Sequence, residues 1–147
     1  IYIQRGDLRS GLGLGFLLGI FILVVYFVLS WSTINLAKAI AALPWLIFFA
    51  VSNAFFEELL IRGLFLKRYI ALLGTAWALV LSALCYGLFF LGVQAAVGPI
   101  PYSALVVILP LGFMYGFIMQ RSDSIWGPVS IHAVVDLIFL LGVFASI

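Results

Sequence analysis

Residues 12–31 read LGLGFLLGIFILVVYFVLSW, 20 positions without one charged side chain. Coiled as an α-helix they extend about 30 Å, the thickness of a bilayer's hydrocarbon core. Charges punctuate the rest of the chain in the same way. Residues 40–56 form a second apolar run, between Lys38 and Glu57 and interrupted only by Pro44. From Arg68 to Arg121 no charge appears, and the Val97-Gly98-Pro99-Ile100-Pro101 break divides that stretch into spans at about 75–95 and 102–120. A fifth run covers about 125–144.

The composition agrees. The 147 residues are 67% hydrophobic and 8% charged, with seven Lys and Arg against five Asp and Glu, and the mean hydropathy is +1.35. A soluble domain carries charge on roughly a quarter of its residues. This chain is therefore read as an integral membrane protein, which excludes a soluble enzyme, a nucleic-acid binder and a disordered chain. The ten-residue alternation of a membrane β-barrel is missing, so the expected fold is an all-α, polytopic bundle of about five spanning helices. It makes a single membrane-embedded domain over 1–147. The chain starts at Ile1 rather than Met, so a missing N-terminal part is expected. Cys85 is the sole cysteine and says nothing of redox compartment.

In a five-span zigzag Arg5, Arg9, Lys67, Arg68 and Arg121 share one side and Lys38 takes the other. The positive-inside rule puts the five in the cytoplasm. Gly11, Gly15 and Gly19, and Gly112 with Gly116, recur every fourth residue, the small-residue spacing that lets membrane helices approach closely. The Gly11–Gly15 run lacks the register of a dinucleotide loop and follows no strand. Arg5-Gly6-Asp7 is an adhesion tripeptide by spelling alone.

Five titratable side chains remain within or beside the apolar runs: Glu57, Glu58, Arg62, His132 and Asp136. A charge at mid-membrane costs about 2.5–3.5 kcal/mol on insertion scales, so such groups face the bundle interior, find partners and mark function. Glu58 and Arg62 stand at i and i+4 and form a structural ion pair. Glu57 points about 100° away from Glu58 and has no cation nearby in sequence, which leaves it for chemistry as a general base on water. His132 and Asp136 sit one turn apart on one face, where the carboxylate sets the imidazole tautomer or both aim at one cavity. A role for His132 as axial ligand to a pigment or haem rests on a lone histidine and carries little weight.

These motifs resemble the CPBP family of intramembrane proteases, which includes the CAAX-processing Rce1-like enzymes and bacteriocin self-immunity proteins. The family pattern is E-E-x-x-x-R, then F-x-x-x-H on the following helix, then H-x-x-x-N/D on a later one. Glu57-Glu58-x-x-x-Arg62 is similar to the first motif. The segment from Gln120 through Trp126-Gly127-Pro128 to His132-x-x-x-Asp136 is similar to the third. The likeness covers about residues 40–136. The second motif is degenerate: Tyr86 stands in place of Phe and Phe90 in place of His, and His132 is the chain's one histidine. Gln94, a turn further on, can hydrogen-bond but cannot act as a base.

The resemblance implies peptide-bond hydrolysis in the membrane on prenylated or short hydrophobic peptides. Glu57 would be the base, His132 an oxyanion donor and Asp136 the Asn equivalent. One histidine with carboxylates is a poor zinc set, so no metal and no cofactor are expected. An ionised Asp136 repels an oxyanion, so it helps only when protonated or paired with His132. Phe90 implies impaired catalysis. The alternative is an inactive relative that binds, scaffolds or assembles within a larger membrane complex. The setting implied is a prokaryotic cytoplasmic membrane.

Overall fold

The computed structural model describes residues 6–30, 34–97 and 104–144. They form α1 (Leu8–Ser30), α2 (Leu36–Glu58) continuing into a π-helical segment (Leu59–Leu64), α3 (Leu66–Val97), α4 (Leu105–Ser122) and α5 (Trp126–Phe144). All five are long and apolar enough to cross a membrane. The chain is thus an all-α bundle of five candidate spans, as the apolar runs indicate. Arg5, Trp31 and the break at 98–101 lie outside the described residues.

Between its charged ends the surface is largely apolar, and a few polar and charged groups are buried inside. Leu17, Val28, Trp45, Phe48, Leu72 and Val106 are exposed, whereas Glu58, Arg62, Ser82 and His132 are buried. That is the inverse of a soluble domain and the arrangement hydrocarbon solvent demands. Helices in lipid gain nothing from hiding apolar surface against one another, so close contact between backbones takes over. Gly15 shows how: a Cβ there would clash with Ser130 Oγ and lie 2.7 Å from the Gly127 carbonyl oxygen. α1 packs against α5 through that glycine face, α2 also packs against α5, and α3 pairs with α4.

One end of the bundle gathers the basic residues. The Asp7 amide donates to the Ser122 carbonyl at 2.7 Å, and Lys67 lies 3.6 Å from Asp123. These contacts bring together the start of α1, the start of α3 and the end of α4, and with them Arg9, Arg68 and Arg121. Lys38 stands at the opposite end, in the first turn of α2, where Asn35 accepts from its amide.

Two features depart from the simple spans. Helix α3 begins at Leu66, with a break at Gly74 (φ 75°, ψ 168°) just before the span expected from residue 75; this left-handed φ is one that glycine adopts without steric cost. The second span does not close at the glutamates but runs on through the π-helical residues 59–64. Arg62 lies in this π turn and is buried, and such turns recur at functional positions.

Candidate active site

The ionisable residues of α2 and α5 meet on the bundle axis. From Trp126, at the basic end, His132 lies about 9 Å and Asp136 about 15 Å along α5. Arg62 anchors the cluster. Its Nη1 pairs with Glu58 Oε1 at 2.6 Å, its Nε donates to Ser82 Oγ at 3.2 Å, and its Nη2 donates to the Gly112 carbonyl at 3.1 Å. The guanidinium also faces the rings of Tyr86 and Tyr115, at 4.8 and 5.4 Å from their centroids. Helices α2, α3 and α4 thereby each supply part of the cation's coordination, which offsets the cost of burying it.

Glu58 has a second partner that the i, i+4 spacing does not reveal. His132 Nδ1 lies 2.8 Å from Glu58 Oε1. A carboxylate so close to a guanidinium only accepts, so Nδ1–H donates to it. On the far side of the ring, His132 Nε2 lies 3.1 Å from the Tyr86 hydroxyl, which accepts from an imidazolium and donates to a neutral ring. Tyr115 stacks on the imidazole at 5.1 Å and Tyr86 meets it edge-on at 5.2 Å. His132 is consequently fixed in position and orientation from both nitrogens and by two aromatic rings.

Glu57 and Asp136 form the outer edge. Glu57 Oε2 stands 3.6 Å and Asp136 Oδ1 3.5 Å from the same His132 Nε2. Their remaining oxygens share one amide: Asn53 Nδ2 donates to Glu57 Oε1 at 2.8 Å and to Asp136 Oδ2 at 3.0 Å. These side chains keep 13% and 20% exposure, while His132 keeps 1% and Glu58 and Arg62 none. The two carboxylates are therefore the part of the cluster a water or a substrate can reach.

The structure thus brings together Glu57, Glu58, Arg62, His132 and Asp136. Phe90 and Gln94 follow Tyr86 at one-turn intervals on α3, both half-buried. No hydrogen bond among the described residues joins Gln94 to the cluster. Asn53, Ser82 and Tyr115 are additional members. Asn53 had a signal, since it precedes Glu57 by one turn. Its bond to Asp136, 83 residues away, had none. Among the described residues no group of three or more His, Cys, Asp or Glu side chains is arranged to hold a metal ion.

A multi-span helical bundle enclosing carboxylates, an imidazole and a guanidinium defines a membrane protein with an embedded polar site. The chain belongs to the Rce1-like family: the model for type II CAAX prenyl endopeptidase Rce1-like proteins matches residues 39–138. That match takes in α2 to α5 up to and beyond Asp136, and so every residue of the cluster. No curated protein and no solved structure matches the chain.

Proposed function

We propose that this chain is an intramembrane peptide hydrolase of its family's kind, acting on prenylated or short hydrophobic peptides with Glu57 as the base. One observation carries the reading: Glu57 Oε2 lies 3.6 Å from His132 Nε2, on the accessible edge of a site otherwise closed. A water held against Glu57 Oε2 gives up a proton to that oxygen as it attacks the substrate carbonyl. His132, fixed by Glu58 at its back, turns Nε2 toward the substrate's carbonyl oxygen, where a donor held in place beforehand is worth most. Glu58 and Arg62 hold the ring and do not touch substrate. The basic end, with Arg9, Lys67, Arg68 and Arg121, faces the cytoplasm of a prokaryotic cell by the positive-inside rule.

Phe90 favours a second reading, in which an apolar ring where the family has an imidazole leaves a chain that binds such peptides, or a larger membrane complex, without turnover. Cleavage of a prenylated fluorophore–quencher peptide by the chain in liposomes separates the two. Slow native turnover that Glu57→Gln abolishes and Phe90→His raises about tenfold or more supports the hydrolase. Turnover only after Phe90→His leaves binding as the native role, and native turnover indifferent to Glu57→Gln refutes Glu57 as base.

A further inference from the structure

Glu57 and Asp136 are hydrogen-bonded to the two hydrogens of one amide, Asn53 Nδ2, and each turns its other oxygen to within 3.6 Å of His132 Nε2. Around this pair α2 contributes Glu58 and Arg62, α3 contributes Tyr86, α4 contributes Tyr115, and α5 contributes His132. Three carboxylates then face one guanidinium and at most one imidazolium, a set one proton short of neutrality. An uncompensated charge inside hydrocarbon is costly. Glu58 lies against both cations, so the extra proton belongs to the Glu57–Asp136 pair.

The geometry points to Asp136 as the catalytic acid of this site, supplying from a carboxyl the proton-handling function that Phe90 does not provide. This role rests on the hydrolase reading above. In the first step the water oxygen bonds to the carbonyl carbon, its proton passes to Glu57 Oε2, and the proton of Asp136 passes to the carbonyl oxygen, giving an uncharged gem-diol. In the second the C–N bond breaks, the Glu57 proton goes to the leaving nitrogen, and a gem-diol hydroxyl returns its proton to Asp136. The products are a carboxylic acid and an amine, and both carboxyls end as they began. Asn53 is the positioning residue: its two N–H groups hold one oxygen of each carboxyl and leave the other oxygen of each to the reactants.

Asp136→Asn tests this directly, because asparagine is an accepted residue of the family pattern at that position and keeps the shape of the side chain. The assay is turnover of the prenylated peptide in liposomes. Asp136→Asn lowers kcat about 10²-fold or more, the usual contribution of a positioned acid, with KM little changed. Adding Phe90→His to Asp136→Asn restores turnover, which a folding defect would not allow. If Asp136→Asn keeps native kcat while Glu57→Gln abolishes it, the acid role fails and the hydrolase reading stands. If the double variant is as inactive as Asp136→Asn alone, the acid role fails likewise, the loss being structural. If the native chain does not turn over, or does so regardless of Glu57→Gln, both readings fall.

Discussion

Replacing Arg62 by methionine removes the cation at the centre of the bundle and leaves a nearly isosteric apolar chain. Glu58, with no exposure, then keeps only His132 at 2.8 Å, and Ser82 Oγ and the Gly112 carbonyl each lose a donor. Breaking a buried ion pair from one side costs about 3–5 kcal/mol, because a buried charge is left behind. Against a total stability of about 5–15 kcal/mol this is a large fraction. The charge itself is at fault, so Glu58→Gln in the Arg62→Met background recovers at least half of the loss. The glutamine carbonyl still accepts from His132 Nδ1–H, and a neutral pair is far cheaper to bury than a lone carboxylate. Reversible unfolding in mixed micelles measures all three chains. Arg62→Met within about 1 kcal/mol of native, or a double variant no more stable than the single one, would refute the buried-pair account.

Two further perturbations probe other contacts. Gly15→Val should push α1 away from Ser130 and Gly127 on α5 and lower stability by about 1–3 kcal/mol, the cost of overpacking, whereas the same change at Gly13, where a Cβ meets open space, should be much milder in the same unfolding assay. Tyr86→Phe keeps the ring that faces Arg62 and removes the hydroxyl at His132 Nε2. It should cost about 0.5–1.5 kcal/mol and shift the Nε2 resonance of His132 in nitrogen NMR, while leaving the Nδ1 resonance, set by Glu58, nearly unchanged.

The spans were legible because, in a chain bound for lipid, charges can stand only at the ends of apolar runs or at a site. The same principle singled out Glu57, Glu58, Arg62, His132 and Asp136, which the bundle brings together. What spacing conveys is one helix face at a time. It pairs Glu58 with Arg62 and His132 with Asp136, but the bonds from Glu58 to His132 and from Asn53 to Asp136 cross between α2 and α5. Those depend on how two helices rotate and slide against each other, which no local pattern records. Tyr86 shows a related blind spot. Set against a motif it is a substituted phenylalanine, whereas in space its additional oxygen reaches the imidazole. The π-helical residues 59–64 had no compositional mark either.

The most direct test of that convergence is proximity in a native membrane. In a Cys85→Ser background, Asn53→Cys and Asp136→Cys place one thiol on α2 and one on α5, at side chains that hydrogen-bond at 3.0 Å. A short thiol cross-linker should join this pair rapidly and nearly completely, and should leave unlinked a control pair of Asn53→Cys with Val143→Cys, which is exposed and two turns further along α5. Cross-linking of 53 with 136 no faster than that control would mean the two helices do not present these groups to each other, and the embedded site would not exist.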